Sequence, residues 1–221
     1  MLRAVQNILI IGDSYSTYKG YIPEGYAVYY SDDDVYETGV THVEETWWHM
    51  LCREMNFNLV HNNSWSGSTI GGYGYEGDCT NTSAFICRLE KLVSDGFFEK
   101  NDIDTVFVFG GTNDSWLNSK MGEMKFSDFT PEDAYLVAPS ISKLIFRLKE
   151  ILPNGNIVFV LNTDMYPEIY EATKIASEHF GTLFITLEDI KKSGGHPTVE
   201  GMISIKNQIR DFIIKNIKGI E

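Results

Sequence analysis

The stretch Asn7-Ile8-Leu9-Ile10-Ile11-Gly12-Asp13-Ser14-Tyr15-Ser16 decides how the rest of the chain is read. Ile8 to Ile11 form an apolar run too short for a helix, without the polar/apolar alternation of a strand that faces water on one side. Such a run fits a strand covered on both faces, as in a parallel sheet. Gly12 and Asp13 stop it abruptly, and a serine follows at once. A hydroxyl at the tip of a buried strand invites a chemical reading, provided that other strand tips supply a base and hydrogen-bond donors.

Four further runs of the same kind occur at Asn58–His61, Thr105–Phe109, Ile157–Leu161 and Leu183–Thr186. Helical stretches lie between and after them. Val43–Met55 follows Thr41, a plausible cap, and carries acids in its first turn. Thr82–Ser94 has helical spacing. So does Pro131–Leu152, which opens on the cap-and-proline pair Thr130-Pro131 and is expected to kink at Pro139. Pro167–Phe180 and Thr198–Ile217 complete the set. This alternation predicts an α/β fold with a central five-stranded parallel sheet, wound on both faces. Ligands of such sheets bind beyond the carboxyl ends of the strands. The segments expected to converge are therefore Gly12-Asp13-Ser14, Ser64-Trp65-Ser66-Gly67, Gly110–Asp114, Asn162-Thr163-Asp164 and the loop bearing His196.

At 221 residues and 43% hydrophobic, the chain suits one domain spanning 1–221, with loop insertions around 15–41, 68–81 and 115–129. A net charge of −13 opposes phosphate backbones and anionic lipid surfaces, so neither nucleic acid nor membrane is an expected partner. The three cysteines, Cys52, Cys79 and Cys87, form no CxxC pair and no zinc spacing. No metal and no cofactor are expected, and free thiols fit a reducing compartment. The only apolar run near the start is shorter than a signal-peptide core or a membrane span. The chain as given reads as cytoplasmic, or as secreted or periplasmic had a leader been trimmed.

Among the converging residues, Ser14 has the potential to be a nucleophile, which needs a base to take its proton, and His196 titrates in the useful range. An attacked carbonyl develops negative charge and needs preorganised donors. The Ser14 N–H, the Gly67 N–H and the Asn113 carboxamide are candidates. Removing one such donor typically costs roughly 100- to 1,000-fold in rate.

Four blocks, Gly12–Ser16 (GDSYS), Asn62–Gly67 (NNSWSG), Gly110–Asp114 (GGTND) and His196–Met202 (HPTVEGM), stand in order at these positions. Together they resemble the four blocks of the SGNH hydrolases, the GDSL-like esterase/lipase superfamily. The resemblance implies a flavodoxin-like three-layer α/β/α sandwich. It also implies Ser14 as nucleophile, His196 as base, and Ser14, Gly67 and Asn113 as the oxyanion hole. One departure stands out. Where the family pattern reads Asp-x-x-His, this chain has Ser193-Gly194-Gly195-His196. Loss of the carboxylate from a Ser-His-Asp triad lowers turnover by about 10⁴-fold. Three replacements are open: a backbone carbonyl, favoured because Gly194 and Gly195 leave the loop free to bend; Asp189 or Glu188 folding back; or Ser193 itself.

Each block alone has a plainer reading. Ser14 is a common helix cap, Asn113-Asp114 an ordinary turn, and His196-Pro197 the start of a helix. Asp13 reads as a brace for the turn and Asp114 as a structural acceptor. His42, His49, His61 and His179 lie away from the strand ends. Asp32-Asp33-Asp34 lacks the glycine and distal glutamate of a calcium loop. The GxGxxG match at Gly72–Gly77 does not join a strand to a helix, which removes the dinucleotide reading and leaves a mobile, tyrosine-bearing loop beside Gly67.

The 15–41 insertion holds Tyr15, Tyr18, Tyr21, Tyr26, Tyr29, Tyr30 and Tyr36, and the other insertions add Tyr73, Tyr75 and Trp116. Such rings suit sugar faces or a small acyl ester, and equally the cover of a core under a long loop. Asp13, Tyr15, Trp65, Tyr73 and Trp116 are the expected substrate contacts. The expected activity is hydrolysis of a small-acyl ester, with O-acetyl groups on a carbohydrate as one substrate class. The alternatives are a lysophospholipase or thioesterase, a degenerate hydrolase that binds without turnover, and a flavin- or phosphate-binding module using the hydroxyls of Ser14–Thr17.

Overall fold

Five strands form one sheet: β1 (Asn7–Gly12), β2 (Asn58–Ser64), β3 (Thr105–Phe109), β4 (Asn156–Leu161) and β5 (Leu183–Thr186). They pair in the order β2-β1-β3-β4-β5, all parallel, in a computed structural model that describes residues 5–220. Residues 1–4 and 221 of the expected 1–221 span lie outside the described residues. The main helices are α1 (Trp47–Met55), α2 (Phe85–Ser94), the short α3 (Thr112–Trp116), α4 (Val137–Ile151), α5 (Pro167–Phe180) and α6 (Val199–Asn216).

Side chains alternate across a strand, so each apolar run feeds two cores. Ile8, Ile10, Phe107, Phe109, Val158 and Val160 pack against Trp47, Leu51, Ile205 and Ile209, which places α1 and α6 on one face. Leu9, Ile11, Val106, Val108, Ile157 and Phe159 pack against Phe85, Leu89, Leu144 and Ile169, which places α2, α4 and α5 on the other. The result is the three-layer α/β/α sandwich. Register then fixes the site: Gly12 lies level with Ser64 on β2 and with Phe109 on β3, so the segments after these three residues emerge side by side.

Several boundaries differ from the sequence expectation. β2 runs on through Asn62, Asn63 and Ser64, polar residues that looked like the end of a strand. Their side chains are satisfied inside: Asn62 donates to the Ser16 carbonyl (2.8 Å), Ser64 to Asn62 (2.6 Å), and Asn63 accepts from Arg88 (2.8 Å). Thr46, not Thr41, caps α1, after a single 3₁₀ turn at Val43–Glu45 whose Glu45 carboxylate holds the Thr41 and His42 amides. The helix expected from Thr82 begins at Phe85. The one expected over Pro131–Leu152 is a 3₁₀ turn at Glu132–Tyr135 followed by α4. Pro139 falls in the first turn of α4, where its missing N–H has no intrahelical partner to lose, so no kink is needed. Among the described residues no helix is long and apolar enough to cross a membrane.

Gly110, just past β3, shows how closely α2 approaches the sheet: a Cβ there would lie 2.6 Å from the buried Phe85 ring. Gly110→Ala is expected to cost about 1–3 kcal/mol of stability through overpacking. The urea-unfolding midpoint measures this, and an unchanged midpoint would contradict the close contact.

Candidate active site

The strand-end residues come together as the register requires. Asp13 follows β1 and caps a 3₁₀ turn over Ser14–Ser16, its Oδ1 accepting from the Tyr15 amide (3.0 Å). This turn presents Ser14 toward His196, with Oγ 3.0 Å from Nε2. Within the turn, the amides of Asp13, Tyr15, Ser16 and Thr17 all have protein acceptors. The Ser14 N–H has none among the described residues, and neither has the N–H of Gly67.

Asn113 is carried by α3. Gly111, at φ +93°, lets the chain turn from β3 into that helix in a conformation other residues adopt poorly. The carboxamide is held in one orientation: Nδ2 donates to the Ser68 carbonyl (2.9 Å), while Oδ1 accepts from the Tyr75 hydroxyl (3.2 Å). One Nδ2 hydrogen remains to point elsewhere. The neighbouring Asp114 accepts from the amides of Ile70 and Gly71, each at 2.9 Å, and so pins the loop that follows Gly67.

His196 sits on a small hairpin in which Lys192-Ser193 pair with His196-Pro197. The two turn residues, Gly194 (φ +54°) and Gly195 (φ +84°), both have positive φ, as the tight I′ hairpin turn demands. The turn brings the Gly194 carbonyl to 3.4 Å from Nδ1. A carbonyl only accepts, so that contact places the ring proton on Nδ1 and leaves the Nε2 lone pair facing Ser14. Ser193 and the exposed Asp189 make no hydrogen bond to the ring. The imidazole is also stacked on Tyr29 (centroids 3.6 Å apart, 17° between planes), and the Tyr15 hydroxyl donates to the Gly195 carbonyl (2.5 Å). Burial pushes His196 down to about 4, against the opposing pull of the Gly194 carbonyl. Burial acts the other way on the carboxyls, raising Asp13 to about 7, where nearby Arg88 opposes it, and Asp114 to about 6.

A pocket of about 230 Å³ opens over these groups, walled by Tyr29, Tyr75 and Trp116 around Ser14, Gly67, Asn113 and His196. A family model described as GDSL-like Lipase/Acylhydrolase matches residues 6–213. The chain belongs to that family. This GDSL-like hydrolase is similar to a GDSL-like lipase structure from Bacteroides ovatus, with TM-score 0.88 and 36% identity over 97% of this chain and 100% of that one. One from Bacteroides uniformis aligns with TM-score 0.86 and 35% identity over 96% of each chain. An acetyl xylan esterase from Butyrivibrio proteoclasticus shares the fold at TM-score 0.63 and 16% identity, over 97% of this chain and 65% of that one. No curated protein matches the chain.

Of the substrate contacts expected for this hydrolase, only Trp116 lines the pocket. Asp13 and Tyr15 are fully buried beneath it. Trp65 packs on Tyr26 and over the Arg88 guanidinium, and Tyr73 stands exposed on a short hairpin with Asp78, formed by the loop expected to be mobile. The other aromatic rings lining the pocket are those of Tyr29 and Tyr75, with His196. Among the described residues no cluster of His, Cys, Asp or Glu is placed to hold a metal ion. The first βα turn holds a buried carboxylate and a serine bonded to histidine, which suits a phosphate poorly.

The residue missed from sequence is Arg88, buried on α2 with only 1% exposure. It donates to the carbonyls of Ser83, Asn63 and Gly12, to Asn63 Oδ1 and to Ser68 Oγ. Its signal was there to find: it shares the inward face of α2 with Phe85, Leu89 and Leu92, where a charge is out of place.

Two outcomes follow from the histidine geometry. Tyr15→Phe removes the strut under Gly195 and is expected to lower kcat on an activated acetate ester roughly ten- to a hundredfold, by loosening the ring's aim. An unchanged kcat in the folded variant would deny Tyr15 that role. Because His196 is held near 4, its neutral, proton-accepting form persists above that pH and is lost below it. The acid limb of kcat/KM is expected near pH 4 instead of about 6.5, and a midpoint at the ordinary histidine value would show the ring to be solvated.

Proposed function

We propose that this hydrolase is a short-acyl esterase working through a Ser14–His196 pair, without a carboxylate behind the histidine. The observation that carries this is the 3.0 Å contact between Ser14 Oγ and His196 Nε2, made at the floor of a small pocket. In the reaction, Nε2 takes the Ser14 proton as Oγ attacks the ester carbonyl carbon. The oxyanion is received by the N–H groups of Ser14 and Gly67 and by the spare Nδ2 hydrogen of Asn113. The imidazolium returns its proton to the leaving alcohol oxygen, which departs and leaves an acyl-Ser14. Water, deprotonated in turn by His196, releases the acid and restores the serine.

The Gly194 carbonyl supplies the orienting part of a triad carboxylate's role without its charge. It fixes the tautomer and ring plane, helped by the stack on Tyr29, but offers the imidazolium less stabilisation. What supports a short acyl group is the pocket itself. At about 230 Å³ it falls below the roughly 300 Å³ at the lower end of drug-sized ligand sites. Its aromatic walls carry polar tips where a long alkyl chain would want continuous aliphatic cover. The acetyl xylan esterase named above acts on a carbohydrate acetate. At that identity the likeness carries the fold alone, so O-acetylated sugars are proposed here from the pocket's size and rings.

Hydrolysis of p-nitrophenyl acetate, butyrate and octanoate by wild type and Ser14→Ala tests the reading. Expected are a preference for acetate and, in the variant, a loss approaching the roughly 10⁶-fold seen when a hydrolase loses its serine nucleophile. Equal rates for the two proteins would refute the assignment of Ser14, and a preference for octanoate would refute the short-acyl reading.

A further inference from the structure

The pocket over Ser14 is not closed. Ala27, Ser66, Gly67 and Tyr75 line it on one side, and the same four residues line a second, larger cleft of about 600 Å³. That cleft runs from the oxyanion wall between the strap at Gly25–Ala27 and the hairpin around Gly74–Cys79. If the acyl group is small, the bulky part of the ester is its alcohol, and the adjoining space large enough to take it is this one.

The chemistry of the cleft is one-sided. Its rim carries two carboxylates, Glu76 and Asp78, with hydroxyls from Thr82 and Ser83, and among the described residues lining it none is Lys, Arg or His. Asp78 is held in place by Thr80, whose amide and hydroxyl donate to Oδ1, and by the Tyr135 hydroxyl, which donates to Oδ2 (2.8 Å). Its carboxyl stays below the usual range because of those bonds, so its charge is present at neutral pH. On the shared wall, Ser66 is buried at 6% exposure, yet its hydroxyl has no hydrogen-bond partner among the described residues. A buried hydroxyl is normally satisfied, and one left open where two cavities meet is a ready contact for a ligand's polar group. Tyr26 and Tyr75 add flat faces.

We infer that this cleft is the subsite for the alcohol part of the substrate, and that it takes a hydroxylated group that carries no negative charge. Sugar or polyol hydroxyls donate to the carboxylates and meet Ser66 and the tyrosine rings. A phosphate or carboxylate on the same alcohol is repelled by Glu76 and Asp78, with no lysine or arginine in the cleft to receive it. The inference rests on the short-acyl reading and sharpens it: anionic esters such as lysophospholipids and acyl-nucleotide thioesters become poor substrates.

The test uses two acetates that differ in one group, an O-acetylated methyl glucoside and its counterpart with a carboxylate at C6. Wild type is expected to favour the neutral ester by about tenfold or more in kcat/KM at low ionic strength, with the preference shrinking in salt. Glu76→Lys is expected to bring the ratio near unity or reverse it, and Glu76→Gln to fall between. Equal kcat/KM for the two esters in wild type, or a ratio unmoved by Glu76→Lys, overturns the subsite while hydrolysis remains dependent on Ser14. Hydrolysis of both acetates that survives Ser14→Ala overturns the reading of the catalytic pair, and the subsite with it.

Discussion

The arrangement of the active centre depends on one buried cation. Arg88 has lost its water, and burial lowers its pKa to about 9. A guanidinium in that position is tolerable only when its N–H groups are taken up by acceptors. Here those acceptors lie on the segments that must meet: Gly12, which leads into the Ser14 turn; Asn63, near the end of β2; and Ser68, next to Gly67. The fork lies over the Phe85 and Trp65 rings, with Cζ 4.5 Å and 5.3 Å from their centroids. Through Ser68 the same set of bonds reaches Asn113, whose Nδ2 donates to the Ser68 carbonyl. Two strand ends and the loop after β2 are thus registered against one rigid, planar group.

His196, by contrast, is held by neutral groups. The Gly194-Gly195 turn folds its carbonyls toward the ring and toward Tyr15, and Tyr29 covers one face. Neutral contacts of this kind can orient an imidazole, but they stabilise its cation less than a carboxylate does. The depressed pKa of His196 and its neutral support go together: burial disfavours the imidazolium, and no carboxylate bonded to the ring favours it. Burial also raises the Asp13 and Asp114 carboxyls, which act as braces for the serine turn and for the loop after Gly67. The acidic cleft beyond Tyr75 is lined by neither of them, but by the Gly25–Ala27 strap and the hairpin around Gly74–Cys79.

How far the sequence reached can be seen residue by residue. Ser14, Gly67, Asn113 and His196 could be placed together because each follows an apolar run, and parallel strands have to end on the same side. Periodicity failed where polar residues continue a strand, as at Asn62–Ser64, and where a 3₁₀ turn precedes a helix, as at Val43–Glu45 and Glu132–Tyr135. In those places the deciding bonds are made by side chains distant in sequence or by a carboxylate closing a turn, and neither leaves a periodic trace. The tyrosines of the 15–41 insertion divided along the same line. Tyr15 and Tyr30 went into the core, Tyr29 onto the histidine, and Tyr21 and Tyr36 to the surface, though all look alike in the sequence.

By itself, then, the sequence determined the sandwich, the order of its elements and the four strand-end blocks, because hydrophobic spacing and chain connectivity are local properties that a parallel sheet converts into position. Only the tertiary structure decided what stands behind His196, which aromatic rings wall the pocket and what Arg88 binds. Those contacts join residues as far apart as Tyr15 and Gly195 or Gly12 and Arg88, and they exist only once backbone groups from separate loops have been brought to hydrogen-bonding distance.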